Sequence, residues 1–225
     1  MKLSPIVLGV ATLALTACQQ SPTQQNTDAT ASAALAPLDA SAMTFFLTSV
    51  GAGDGANLGG LEGADAHCTS LANAAGSTGR TWRAYLSTNG DNGVNAKDRI
   101  GEGPWVNARG ETVATSIANL LDASGNNLSK TASITESGDI INGRGDRPNR
   151  HDILTGSDGA GLATEDTCGN WTLNGSGSAT VGHHDRKGGG SDPTHWSTAH
   201  GSRGCSQKNL QGSGGDGLFY CFATD

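Results

Sequence analysis

Aromatic side chains are scarce in this chain of 225 residues: four Phe, four Trp and two Tyr make up 4% of it. A domain with so few large apolar groups has a modest core, and the 34 glycines point to a loop-rich fold. Positive charge is also in the minority. Fourteen Lys and Arg face 21 Asp and Glu, for a formal net charge of −7. That balance argues against nucleic acid, heparin-like polyanions and anionic lipid as partners. No apolar run is long enough to span a bilayer; the run at residues 6–15 has the length of a signal-peptide core. A nucleotide-cradling loop, a Ser-His-Asp pattern and a paired-carboxylate signature are all missing, so no catalytic residue is assigned and the chain reads as a non-enzyme.

What is present at the start is an export address. Lys2 precedes the apolar run, and Leu15-Thr16-Ala17-Cys18 follows it. This looks like the lipobox of bacterial lipoproteins, in which the cysteine is lipidated and becomes the new N-terminus. Residues 1–17 are then a signal peptide, and several acyl chains on Cys18 hold the protein on a membrane. Gln19, where inner-membrane retention usually shows Asp, points to the outer membrane, on its periplasmic or cell-surface side. Residues 18–43 read as the lipidated cysteine and a flexible tether, polar and then Ala/Ser/Pro-rich with no period. Residues 44–225 form one domain.

Cys68, Cys168, Cys205 and Cys221 remain once Cys18 is taken by the lipid. An even number in an oxidising compartment predicts two disulfides, which leaves no thiol nucleophile; the count allows three pairings and does not choose among them. Phe45-Phe46-Leu47-Thr48-Ser49 reads as an opening strand. Leu61, Ala64, Cys68, Leu71, Ala72 and Ala75 recur at helical spacing, with Glu62, Asp65 and His67 on the outer face and Gly76 as the stop. Residues 81–87 alternate as a strand, with Trp82, Ala84 and Leu86 opposite Arg83 and Tyr85. Val113, Ile117, Leu120 and Leu121 predict a second helix within 111–121. Ile134 to Ile141 reads as a hairpin turning at Ser137-Gly138. Residues 142–217 are polar, Gly-rich and irregular, and Leu218-Phe219-Tyr220-Cys221-Phe222 is a buried type of strand. The irregular region holds two cysteines, and loops pinned on a scaffold are where binding sites gather.

Several of these stretches carry a family resemblance. Gly59-Gly60-Leu61-Glu62-Gly63-Ala64-Asp65-Ala66-His67-Cys68, then Thr81-Trp82-Arg83-Ala84-Tyr85-Leu86-Ser87, resemble the opening of the endostatin domain of collagens. The likeness continues through Val106-Asn107, the second helix and the turn at 134–141. It resumes at Gly156-Ser157-Asp158, Cys168-Gly169-Asn170-Trp171-Thr172, Cys205 and Tyr220-Cys221, so that it spans about residues 45–222. It implies an α+β, C-type-lectin-like (endostatin-like) fold: two helices with small antiparallel sheets, a long loop region and nested disulfides, Cys68 with Cys221 outside and Cys168 with Cys205 inside. The family's sites do not follow. Residues 44–55 lack the N-terminal zinc histidines, and the acidic surface lacks the arginines for heparin. Arg147-Pro148-Asn149 puts a cation where a calcium lectin has a carboxylate or amide, and Ser202-Arg203-Gly204 replaces the second calcium triplet.

Four groups of residues remain as candidate sites. His183, His184, Asp185, His195 and His200 fall within 18 residues and carry zinc-binding chemistry, although their spacing matches no standard motif. Asp146, Asn149, Asp152 and Asp158 offer oxygens for calcium, or Asx turns. Trp105, Trp171 and Trp196 offer faces for stacking on a sugar, and Trp196, flanked by His195 and Ser197, is the surface candidate. Arg144-Gly145-Asp146 spells an integrin-recognition triplet, a short pattern that arises easily by chance. The reading that follows is a surface-anchored binding module that meets a glycan or protein ligand through the long loop region, with Trp196, Asn149, Asp152 and Asp158 as ligand contacts. The alternatives are a zinc-binding protein or metal-dependent enzyme using residues 183–200, and a structural envelope lipoprotein.

Overall fold

A computed structural model of the chain describes Met1, Lys2, Ser4, residues 36–190 and residues 193–225. Cys18, the rest of the expected signal peptide and most of the expected tether lie outside the described residues. The compact unit Leu35–Asp225 carries the architecture. It opens earlier than residue 44: Met43 is completely buried, and the Asp39 amide donates to the Ala108 carbonyl at 2.8 Å. A thioether in the core and a paired backbone tie these residues to the domain rather than to the tether.

The fold is mixed α/β. In chain order its elements are β1 (Phe45–Leu47), α1 (Gly60–Ala74), β2 (Trp82–Ala84), β3 (Trp105–Val106), β4 (Thr112–Ala114), α2 (Ile117–Leu121), β5 (Asp152–Leu154), α3 (Cys168–Trp171), β6 (Thr180–His183), β7 (His200–Gly201), α4 (Gln207–Ser213) and β8 (Gly215–Ala223). The main sheet runs β1-β8-β5-β6-β7, with β2 also paired to β8; β3 and β4 form a separate pair. The central strand β8 receives β1 and β2 antiparallel along its C-terminal half and β5 parallel along its N-terminal half.

β8 is buried on both faces, which explains its unbroken apolar run. Successive side chains of a strand point to opposite sides. Phe219 and Cys221 join Phe46, Ala64, Cys68, Trp82 and Trp171 in one cluster, while Leu218, Tyr220 and Phe222 join Phe45, Tyr85, Trp105, Leu120 and Trp196 in the other. All four tryptophans are buried. The disulfides are Cys68 with Cys221, joining α1 to β8, and Cys168 with Cys205, the nested pairing that the resemblance implied.

Four local expectations change. β4 occupies the start of the predicted second helix: Thr112, Val113 and Thr115 favour extended backbone, and helix begins only after Ser116, whose hydroxyl caps the Asn119 amide. At 134–141 the turn is present, with Gly138 at φ +80°, but only an isolated bridge joins Ile134 to Ile140. The region 142–217 is more ordered than its composition suggests, since it holds β5, β6, β7, α3 and α4. Asp65, placed on the outer face of α1, is instead buried and bridged by Arg83 at 2.8 Å and Arg99 at 2.7 Å.

α3 is not an ordinary helical turn. φ is positive at Cys168 (48°), Gly169 (60°), Asn170 (55°) and Trp171 (66°). Left-handed backbone costs an L-residue roughly 1–2 kcal/mol, so neighbours must hold it. Cys168 is tied to Cys205, the Trp171 indole donates to the Ser87 carbonyl at 2.8 Å, and the Asn170 amide exchanges hydrogen bonds with the Asn89 backbone.

Candidate metal centre

β5, β6 and β7 are neighbours, and their register gathers three polar side chains. Asp152 stands opposite His183 across β5 and β6, and His200 stands opposite Val181 across β6 and β7. Directly opposed residues share a sheet face, and so do residues two apart on one strand. Asp152, His183 and His200 therefore converge on one face, past the apolar pair Leu154 and Val181. Between Val181 and His183 the strand needs Gly182, because a Cβ there would overlap the Trp196 carbonyl oxygen.

The ligand atoms form a triangle. Asp152 Oδ1 lies 3.2 Å from His183 Nε2 and 3.5 Å from His200 Nε2, and the two Nε2 atoms are 3.1 Å apart. The other ring nitrogens have partners. His183 Nδ1 is 2.7 Å from the Lys187 carbonyl and His200 Nδ1 is 3.1 Å from the Gly201 carbonyl. A carbonyl only accepts, so Nδ1 is the donor in each ring, and the neutral imidazole turns a bare lone pair at Nε2 toward the triangle. Asp152 is 2% exposed by side chain, and neither of its oxygens has an aligned hydrogen bond among the described residues. Burial alone would raise its carboxyl; a proton on the His183 or His200 Nε2 that faces it, in place of the lone pair, outweighs burial and holds it below the usual carboxylate range. Asp152 in turn raises the pKa of His200. Three acceptors facing one another, Asp152 and His183 buried and His200 at the surface, are satisfied by a cation or a proton at their centre.

His151 and Asp185 form the support. His151 Nε2 is 3.2 Å from Asp152 Oδ1, and its Nδ1 is 3.2 Å from Asp185 Oδ1. Its ring stacks on His183 with centroids 3.9 Å apart. Burial would raise the Asp185 carboxyl, but His151 and the amides of Arg144 (2.5 Å) and Lys187 (3.2 Å) hold it far below its ordinary value. His151, His183 and Asp185 also lie within ligand range of one another. Asp185, however, is already saturated with donors, so it orients His151 rather than ligating. Such carboxylate–histidine support is usual behind metal ligands.

The other sequence candidates lie elsewhere. His184 follows His183 on the strand and points away: it is buried, its Nε2 is 3.3 Å from the Asn142 carbonyl, and burial pushes its pKa down to about 4. His195 packs on Trp196, and its Nδ1 sits 3.0 Å from Ser197 Oγ. Neither joins the centre: His184, next after the last residue of β6, alternates away from it, and His195 turns to Trp196 and Ser197. Trp196 is not a surface residue. It is completely buried, donates to the Leu120 carbonyl at 3.0 Å and packs on Tyr85 and Tyr220, as a small core requires. Trp105 and Trp171 are likewise core.

The calcium set does not assemble, and the described residues gather no all-carboxylate group. Asp158 Oδ1 accepts the amides of Ala160 and Leu162 in an Asx turn, and Asn149 Oδ1 accepts the His151 amide. Asp146 is bound to Lys130 and to the Gly143 amide, which removes the carboxylate from the exposed Arg144-Gly145 turn. His151 was not among the sequence candidates, and Asp152, expected there as a loop oxygen for a ligand or calcium, sits instead beside three histidines. The available signal was His151-Asp152 leading directly into Ile153-Leu154, a polar pair at the start of a short strand. No protein-family model matches the chain and no curated protein is significantly similar to it, so the function is argued from this geometry.

Proposed function

We infer that this protein is an exported, lipid-anchored binding module that holds one divalent transition-metal ion, of the zinc class, at Asp152, His183 and His200. The observation that carries this reading is the triangle of bare acceptors with edges of 3.1, 3.2 and 3.5 Å. Ligand atoms of a tetrahedral zinc site lie about 3.3 Å apart when each bond is roughly 2.0–2.1 Å long. Imidazole suits zinc, copper, nickel or iron, whereas calcium and magnesium prefer all-oxygen cages. His200 is 37% exposed by side chain, so the fourth side of the centre opens to solvent. A donor atom from a glycan or protein partner completes the sphere there.

The C-type-lectin-like fold is part of this proposal. Its support is the nested cysteine pairing, the joining of α1 to β8 and the long segment 142–217 between core elements. Lipid anchoring rests on Leu15-Thr16-Ala17-Cys18. Among the described residues no helix is long and apolar enough to cross a membrane.

The test is zinc titration of the oxidised protein by calorimetry, with metal analysis of the product. One equivalent is expected, and it should be lost in Asp152→Asn and His183→Gln. A folded wild-type protein that retains no stoichiometric zinc, copper, nickel or iron overturns the reading. Three protein ligands with an open position are also the pattern of catalytic zinc sites. Metal-dependent ester hydrolysis that disappears in His200→Ala would convert the binding module into an enzyme.

A further inference from the structure

Two concavities meet at the ion pair between Arg150 and Asp216, whose Nε and Oδ2 are 3.0 Å apart. One, of about 310 Å³, is lined by Pro148, Asn149, Arg150, Gln211, Gly215 and Asp216. The other, of about 120 Å³, is lined by the same pair together with Ser49, Val50, Gly51, Gly53 and Gln207. Together they form a groove with the ion pair at its waist.

Asp216 organises the lining. Its Oδ1 accepts from Gln207 Nε2 at 2.7 Å and from Gln211 Nε2 at 2.9 Å, while Oδ2 faces Arg150. Three long side chains are thereby held in place. The atoms left without a hydrogen-bond partner among the described residues are both Nη atoms of Arg150, the Oε1 atoms of Gln207 and Gln211, and Asn149 Nδ2. The set mixes a donor fork, an amide donor and two amide acceptors. Because Asp216 neutralises Arg150, the waist has no net charge to draw an anion or a cation.

We propose that this groove binds a neutral sugar, one pyranose ring in the larger concavity with the neighbouring unit or substituent in the smaller. Hydroxyl groups on adjacent ring carbons each donate and accept, which matches fixed donors and acceptors side by side. The larger volume is at the low end of the roughly 300–1,000 Å³ range of small-ligand sites, a size for one ring rather than a chain. The lining holds no aromatic face for stacking, so affinity is weak and specificity comes from hydroxyl geometry. The groove adjoins the metal centre: Asn149, which lines it, accepts the His151 amide through Oδ1 at 3.3 Å. A Cβ at Gly214 would lie 2.8 Å from Asn149 Nδ2 and 3.3 Å from His151 Cδ2.

Saturation-transfer NMR on the full oxidised chain tests this, with methyl glycosides of glucose, galactose, mannose and N-acetylglucosamine as probes, first in chelator and then with added zinc. Transfer to at least one probe is expected. Gln211→Ala, on the exposed face of α4, and Arg150→Lys, which keeps the ion pair but loses the fork, should each weaken it at least fivefold with an unchanged melting temperature. Three results overturn the proposal: no transfer to any probe from folded protein, transfer unaffected by both substitutions, or transfer that requires added metal. The last would move sugar binding to the metal centre. Loss of zinc binding with sugar binding intact would remove the metal reading alone.

Discussion

His183 and His200 face each other through their Nε2 atoms, 3.1 Å apart, each ring having its Nδ1 on a backbone carbonyl. Neither nitrogen holds a proton to share in the neutral tautomers, so the pair is repulsive until a cation or a proton enters between them.

Metal affinity should therefore divide by role. His183→Gln and Asp152→Asn remove a ligand atom and should abolish zinc binding. Asp185→Asn removes no ligand atom but weakens the support of His151 Nδ1 and of the Arg144 and Lys187 amides, and should lower affinity roughly 10–100-fold at unchanged stoichiometry. Titration calorimetry separates the two classes. Equal loss in all three variants would mean that Asp185 ligates directly.

Acid should destabilise the metal-free protein, with His184 the largest named contributor. Its folded pKa is about 4 against an ordinary 6.5. Between those values the unfolded chain takes up a proton that the folded chain refuses, so stability falls as pH falls through this window, by about 3 kcal/mol in total. Burial lowers His195 in the same direction. His200 opposes them: raised by Asp152, its contribution is present below the ordinary value and lost as pH rises through the folded one. Urea unfolding in chelator from pH 4 to 7 should show a flatter slope for His184→Gln. A slope identical to wild type contradicts the assignment.

Asp65 is a second point of vulnerability. Its carboxylate takes Arg83 and Arg99 and caps the Ala84 amide at 2.9 Å, which joins α1 to β2. Asp65→Ala strands the Arg99 guanidinium, whose burial already lowers its pKa, and should cost about 3–5 kcal/mol. Asp65→Leu combined with Arg99→Met should recover part of that loss in equilibrium unfolding. No recovery would place the cost in the lost cap instead.

The left-handed turn at α3 gives a cleaner comparison. Asn170→Gly loses the bonds to Asn89 but relieves the backbone at φ 55°. Asn170→Ala loses the same bonds and keeps the strain. Ala should be the less stable of the two by about 1 kcal/mol, read from denaturation midpoints. Equal midpoints would show that the backbone relaxes on losing the amide.

What was legible followed apolar period. α1 announced itself by its stripe and β8 by its continuous run, since both bury ordinary hydrophobic faces. β4 was hidden because Val113, Ile117, Leu120 and Leu121 fall at helical spacing across a strand, a capping serine and a single short helix. β5, β6 and β7 were hidden for a different reason. They are two to four residues long, and their buried ends carry Asp152 and His183 where a core strand would carry aliphatics. The same polar substitution that concealed the strands builds the centre. His183 and His200 could be named from composition, but only the register separates them from His184 and His195 and brings in His151 and Asp152.

The covalent ring closed by Cys168 and Cys205 encloses β6 and β7, and with them two of the three proposed ligands; Asp152 lies outside it. An ion at the centre is thus a third cross-link, which fastens the ring to the strand it leans on. In an oxidising compartment the two sulfur bonds persist. The third obeys mass action, so metal supply would adjust the firmness of the 142–217 face while the fold beneath it stays closed.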